Sequence, residues 1–204
     1  MERDEVSGDG ITEGGVVIGA DGVPRCAWCS GHTDYEQYHD HEWGRRPPTD
    51  NHWFEKVCLE GFQAGLSWLI VLRRRERLRE VFSGFDPDVV AFMTNADIDR
   101  LVTDPGVIRH RGKLESVVNN ARRAQALRDE WGSLAGFFEG FALDRPRPVH
   151  LTDIPTTSNE SHAMSRELRS RGWTFVGPTT MYALSQALGL VDDHLTTCWV
   201  ARPS

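Results

Sequence analysis

The stretch just before the C-terminus restricts this chain's fold more than any other. "GLVDDHLTTCW", residues 189–199, sets His194 four residues before Cys198, and a helix over 193–200 would turn both donors to one face. Two such donors are half of a tetrahedral zinc site, whose ligands are Cys and His more often than carboxylates. Candidates for the other half lie near the opposite end of the chain. "RCAWCSGHTDYEQYHDHEWG" holds Cys26, Cys29, His32, His39 and His41. Cys26 and Cys29 with His194 and Cys198 would make a Cys₃His site, and Cys26 and His39 with the same pair would make Cys₂His₂. Either set would close nearly the whole chain into one loop, where a cross-link removes much entropy from the unfolded state. Separate surface histidines and buried cysteines are the competing reading, because H-x₃-C alone is a weak signal.

The compartment follows from the same residues. Four cysteines stand in a sequence whose opening, MERDEVSGDGITEGG, has neither a basic start nor an apolar stretch. That combination points to thiols or metal ligands in a cytoplasmic protein, not to disulfides. No apolar run approaches a membrane span. With 204 residues, 39% of them apolar, and seven tryptophans, the chain can bury one core. It is read as a monomer. The net charge of −7 is unevenly placed: Glu2, Asp4, Glu5, Asp9, Glu13 and Asp21 against Arg3 leave only about −2 for residues 25–204. The total therefore does not exclude DNA as a partner. Residues 1–24 read as an acidic, Gly-rich flexible tail, with a short strand at VVI the lesser alternative, and 25–204 as one helical domain beginning near Arg25.

Helical periodicity fills most of that domain. Thr49-Asp50 leads an amphipathic run to about Gly65, and Ser67 opens "SWLIVLRRRERLREVF". "FDPDVVAFM" offers Asp86 as an N-cap with Pro87 at the first helical position, and "TNADIDRLV" offers a capping box of Thr94 and Asp97. Further helices fit 112–130, 132–141, 157–171, 178–188 and 193–200. "ALDRPRPVHLTDIP" is a Pro-rich connector, read as a crossing between lobes. The fold class is all-α.

Three features suggest a binding site. Glu60, in "CLEGFQAGLSW", stands at the apolar end of a helix, where a carboxylate is costly without a partner. It reads as a pocket acceptor or, more simply, as a surface or structural Glu. Trp28, Tyr35, Tyr38, Trp43, Trp53 and Trp68 crowd the same region. Most such aromatics are core, but several on one wall would form a stacking slot for a flat ring. "RGWTFVGPTTMYALSQALGLVDDH" ends one helix at Gly172 and opens the next at Pro178, with Gly177 expected to take an unusual backbone shape. Free N–H groups there would receive an anion such as a DNA phosphate, although an ordinary helical hairpin has the same pattern.

The words "RCAW", "YHDHEWG", "CLEGFQAGLSW", "VIRHRGK", "FVGPTTMYALSQALGLV" and "DHLTTC" together resemble the DNA-3-methyladenine glycosylase I family of the helix-hairpin-helix glycosylase superfamily, from Arg25 to about Trp199. The resemblance implies a helix-hairpin-helix glycosylase-like fold. It implies one Zn²⁺ held by Cys26, His39, His194 and Cys198, with Cys29 a bystander, tying the N- and C-terminal segments. It also implies Glu60 as the catalytic residue of a base pocket, with Trp28, Tyr35, Tyr38 and Trp68 around it. Four Cys/His ligands close the coordination sphere, so the zinc is expected to be structural. The implied activity is flipping of 3-methyladenine out of double-stranded alkylated DNA and its hydrolytic excision. Only Lys56 and Lys113 accompany 21 arginines, so an amine-dependent strand-nicking step is not expected. DNA phosphates are expected at the hairpin around Gly177 and at Arg109, Arg111 and Lys113, with "RRRER" at 73–77 read as a solvated helix face. One word departs from the family: "VDDH" replaces the common "VNDH", placing Asp192 where related glycosylases carry an assisting Asp. Asp192 is expected to cap the helix carrying His194 and Cys198 rather than to act in catalysis. The rivals are a zinc-containing DNA-binding module, which needs no buried Glu60, and a zinc hydrolase, which needs an open metal position.

Overall fold

The computed structural model describes residues 14–200. Helices dominate: α1 (Thr33–His41), α2 (Asp50–Gln63), α3 (Trp68–Val81), α4 (Pro87–Val90), α5 (Asn95–Thr103), α6 (Arg111–Trp131), α7 (Leu134–Phe138), α8 (Asn159–Ser170) and α9 (Pro178–Ala187). Local chemistry sets several ends as the sequence suggests. Asp86 accepts from the Asp88 N–H with Pro87 following it, and Thr94 and Asp97 form a reciprocal capping box. Expected helix ends after residue 49 agree with α2, α3, α6, α8 and α9 to within a few residues. None of the described helices is long and apolar enough to cross a membrane.

α2 is the hub. Ten of its residues, from Trp53 to Phe62, are buried in an unbroken run. It packs against α3, α6, α7 and α9, so it has no solvent face along most of its length. Three charged side chains, Glu55, Lys56 and Glu60, go into the interior with it. At Gly61 the helix meets the α8–α9 hairpin so closely that a Cβ would lie 3.3 Å from the Phe175 Cβ.

The mostly helical fold departs from the element-by-element expectation in three places. First, a two-stranded antiparallel sheet joins β1 (Val16–Ile18) to β2 (Pro24–Cys26), so ordered structure starts before Arg25 and the VVI stretch is a strand. The remainder of the expected tail, residues 1–13, lies outside the described residues. Second, α1 is a helix without apolar periodicity: of its buried residues, Tyr38 joins the aromatic core, and His39 and Asp40 form part of a polar cluster. Third, residues 193–200 are not helical. Their backbone donors are used elsewhere: His194 N–H bonds the Asp192 carboxylate, Thr196 N–H the Pro148 carbonyl, and Trp199 N–H the Pro24 carbonyl. The first bond is one that a helix N-cap also makes, but a helix would have to give up the other two.

The Pro-rich connector runs alongside this C-terminal segment. Leu143 N–H bonds the Leu190 carbonyl, and Arg145 and Arg147 pair with Asp193 and Asp192. It thereby brings Leu151–Thr156 over the junction of α1, α2 and α9.

Candidate functional site

A cavity of about 430 Å³ opens between the N-terminal helices and α9. Its walls are Trp28, Tyr35, Tyr38, Trp43 and Trp68 on one side, Thr179, Tyr182, Ala183 and Gln186 from α9 opposite, and Leu151 with Ile154–Thr156 at the rim. Glu60 and Gln63 reach it from the end of α2. All four aromatics expected around a flat ring are therefore present, with Trp43 as a fifth. The ring pairs are tilted or edge-on: Trp28–Tyr35 at 5.3 Å, Trp28–Trp43 at 5.0 Å and Tyr38–Trp68 at 5.2 Å between centroids. Such a set offers ring faces to a guest instead of to one another.

Glu60 is the electrostatic centre of the cavity. It is 5% exposed, and its Oε2 has no hydrogen-bond partner. Burial pushes its pKa up to about 8, against the opposing pull of the Lys56 ammonium. Lys56 is itself committed: its Nζ lies 2.5 Å from Glu42 and 4.6 Å above the Tyr38 ring. The Trp68 indole N–H is also buried without an acceptor. A ligand with a donor for Glu60 and positive character for the rings would satisfy groups that the protein leaves open.

The α9 wall is held by Asp193. Its Oδ2 accepts from the Tyr182 hydroxyl at 2.7 Å and from the Gln186 amide at 2.8 Å, while Oδ1 accepts from Arg145. Tyr182 and Gln186 are four residues apart on one helix face, so a single carboxylate fixes both. This network and the 151–156 rim are not visible from motif spacing. Tyr182 and Gln186 share α9 with the polar Thr179, Thr180 and Ser185, so nothing local singles them out.

Behind the aromatic wall lies a second cluster. Cys26, His39, His194 and Cys198 are all buried, with ligand atoms within 4.8 Å of one another. Cys198 Sγ is 3.5 Å from His39 Nε2 and 3.7 Å from His194 Nδ1. The edges of a zinc tetrahedron with its usual bond lengths are about 3.3–3.8 Å, so the two Cys198–His distances already match such an edge, within a group whose ligand atoms all lie inside 4.8 Å of one another. His39 is oriented by Asp40, whose Oδ1 lies 2.8 Å from Nδ1. Asp40 in turn accepts from Arg25 and from the Trp199 indole. Cys29 is buried nearby but turns its thiol to the Cys26 carbonyl at 3.1 Å and stands outside the group. The two sites share a wall: Trp28 lies edge-on to the His39 ring at 5.4 Å and Trp43 to the His194 ring at 4.6 Å.

The DNA-contact expectations fare unevenly. α8 and α9 form the expected hairpin, and Gly172 is left-handed at φ +82°. Gly177, however, has an ordinary φ of −67°; the strained residue of the turn is Phe175 at φ +58°. Gly177 caps α9 with no side-chain bond to its first N–H groups. Arg109 and Arg111 are exposed, the latter paired with Asp99 and Glu115. Lys113 is instead buried, its ammonium 2.8 Å from the Phe62 carbonyl and also bonded to that of Ala64. It closes the C-terminal end of α2, just beyond Glu60, and is not on the surface. In the RRRER stretch, Arg73, Arg75 and Arg77 pair with Asp34, Glu42 and Asp104, as a solvated face would.

Residues 28–202 match the model of the methyladenine glycosylase family. The DNA-3-methyladenine glycosylase of Haemophilus influenzae is 44% identical over 177 residues, 85% of this chain and 96% of that protein. The DNA-3-methyladenine glycosylase 1 of Escherichia coli is 43% identical over 179 residues, 86% and 96% of the two chains. A solved structure on 3-methyladenine recognition by the glycosylase I of Staphylococcus aureus superposes with a TM-score of 0.82 at 36% identity, over 88% of this chain and 97% of that one.

Proposed function

The chain belongs to the methyladenine glycosylase family, hydrolases of N-glycosyl bonds, and from that membership we propose that it excises 3-methyladenine from double-stranded alkylated DNA. The observation that carries this reading is Glu60, a buried carboxylate without a partner in an aromatic cavity. Methylation at N3 gives the DNA-bound base a positive charge and weakens its bond to the sugar. The base is rotated out of the duplex into the cavity, where Trp28, Tyr35, Tyr38 and Trp68 take up the cationic ring. Glu60 accepts from its exocyclic amine and stabilises the charge. The C1′–N9 bond then breaks with its electron pair going to the base, which leaves neutral, and water adds its oxygen to C1′ and gives up a proton. An activated leaving group needs little general-acid help, which fits a pocket with one carboxylate.

The enzyme is monofunctional and monomeric in this reading. Both lysines support the absence of a nicking step: Lys56 is tied to Glu42 and Lys113 to two carbonyls, so neither amine is free to attack the sugar. The Cys26, His39, His194 and Cys198 group fits Zn²⁺ by donor type and spacing, and a closed Cys₂His₂ sphere cross-links the two ends of the chain. Its place is behind Trp28 and Trp43, where it fixes the wall. DNA phosphates meet the uncapped start of α9 after Gly177 and exposed Arg109 and Arg111. The test is direct: the protein is incubated with methylated duplex DNA, and the released bases and strand breaks are analysed. Release of 3-methyladenine without nicking is expected. Binding without release would favour a DNA-binding module.

A further inference from the structure

The β1–β2 hairpin lies ahead of the stretch that the family model matches, yet it touches both clusters. Val16 is 2% exposed and packs with Cys26, Leu195, Cys198 and Val200 in a small apolar cluster separate from the main core. It therefore covers two of the four candidate metal donors. Its neighbour Gly15 faces the other way. Gly15 is left-handed at φ +83°, and a Cβ there would come 2.6 Å from Cγ of Leu151 and 2.8 Å from its Cδ1. Gly14 approaches the same segment, with its Cβ position 3.4 Å from the Val149 carbonyl. Strand pairing of Val16 with Cys26, and the Ala27 N–H bonded to the Gly15 carbonyl at 2.9 Å, hold both residues in register.

Leu151 belongs to the cavity rim with Ile154, Pro155 and Thr156. That rim has a single 3₁₀ turn, Leu151–Asp153, as regular structure, so its position depends on what it rests against. We propose that the hairpin is a positioning element for the reaction: Gly15 seats Leu151 and so sets the rim of the base pocket, while Val16 seals the metal cluster. Glu60 and the stacking rings stand on other elements. Displacing the rim should therefore weaken capture of the base and leave bond breakage in the bound state unaltered.

The inference rests on the base-excision and metal-binding reading above, and the experiment separates the two. The full-length, metal-loaded protein is compared with Gly15→Val, Gly15→Ala and Val16→Ala. Ile18→Ala serves as control, because Ile18 shares the strand but is 54% exposed. Three quantities are measured: affinity for free 3-methyladenine by tryptophan quenching, single-turnover excision across enzyme concentrations, and metal loss to a chelator. Gly15→Val should raise the dissociation constant and the half-saturating concentration about fivefold or more, with the saturating rate within about twofold. Gly15→Ala should do the same more weakly, and stands in if the Val variant does not fold. Val16→Ala should release metal about tenfold faster with base affinity near normal. Ile18→Ala should change nothing. Unaltered base affinity in both Gly15 variants, unaltered metal loss in Val16→Ala, or a saturating rate that falls in step with affinity would each overturn the proposal. Absence of base release from the unsubstituted protein would instead overturn the excision reading, with the metal-loss arm still judging the hairpin.

Discussion

On the metal-cluster side of the Trp28–Trp43 wall, hydrogen bonds run in a chain from His39 to Asp40, Arg25 and Asp21, with only the far ring nitrogen of His194, Nε2, buried without a partner among the four candidate donors' side chains. On the cavity side, Glu60 Oε2 and the Trp68 indole N–H are equally buried and have no partner. The same contrast recurs along α2: Glu55 is 4% exposed and bridged to Arg79 at 2.8 Å, whereas Glu60, five residues on, faces the cavity alone. Burial by itself thus says little. A buried charge answered by the protein's own groups belongs to the architecture, whereas the unanswered oxygen of Glu60 stands at a cavity with room for a ligand.

Breaking the finished side should have the largest effect on the fold. Cys198→Ala is expected to lose the metal and at least about 4 kcal/mol of stability, since it opens the only cross-link proposed between the chain's ends. Cys29→Ala should keep one equivalent of metal, because its thiol bonds a carbonyl outside the group. Metal content and melting temperature check both. A parent protein that binds no metal would mean that the cluster is an ordinary buried thiol–imidazole packing, and full retention by Cys198→Ala would remove Cys198 from the ligand set.

Breaking the open side should do the reverse. Glu60→Gln is expected to reduce the single-turnover rate on the order of a hundredfold, with fold and duplex binding intact. Full base release by that variant would return Glu60 to a structural role.

How much of this contrast was legible in the sequence follows from how each signal is written. Glu60 stood out because a carboxylate in an apolar helix end breaks a local pattern, and the cap at Asp86 and box at Thr94 are short-range chemistry. The four metal donors could not be chosen by spacing, since Cys29 was as good a candidate as His39 until family words were added. The helix expected over 193–200 failed because the Thr196 and Trp199 N–H groups go to Pro148 and Pro24, partners that no local pattern announces. Lys113 was taken for a surface cation for the same reason: its acceptors lie some fifty positions earlier, on α2. Asp193, Tyr182 and Gln186 form a wall only after the chain has folded.

The pH dependence sharpens the difference between the clusters. Glu60 is raised from 4.5 to about 8 by burial. Its protonated form favours folding, so this contribution is complete below about 4.5 and is lost as pH rises through about 8. The Glu60→Gln variant should therefore match the parent in acid and exceed it above pH 8 by on the order of a few kcal/mol at most. Catalysis should run opposite, because a cationic base needs the carboxylate. The parent's kcat/KM, which reports the free enzyme, should climb toward a plateau above about 8, and the variant's should be flat over the same range. Equal slopes in the two proteins would assign the pH response to another group.

The smallest effect is expected at Asp192, the first acidic residue of the VDDH word. The helix it was expected to cap does not exist, but Asp192 still makes a cap-like local bond, Oδ1 accepting from the His194 N–H at 3.2 Å, while Oδ2 accepts from Arg147 Nε of the Pro-rich connector at 2.7 Å. It is not among the residues lining the cavity, unlike Tyr182 and Gln186, which are held by the next residue, Asp193. An Asn can accept the same backbone N–H with its side-chain oxygen, and it gives up the ion pair with a partly buried Arg. Asp192→Asn should therefore keep its metal, lose no more than about 1 kcal/mol of stability and excise 3-methyladenine within about threefold of the parent rate. If the rate instead fell a hundredfold or so with metal and stability unaltered, a carboxylate would be needed near the sugar as its positive charge develops. Glu60 would then share the chemistry with a residue outside the cavity, and the division between a closed architectural side and an open reactive side would have to be redrawn through the Asp192–Asp193 pair.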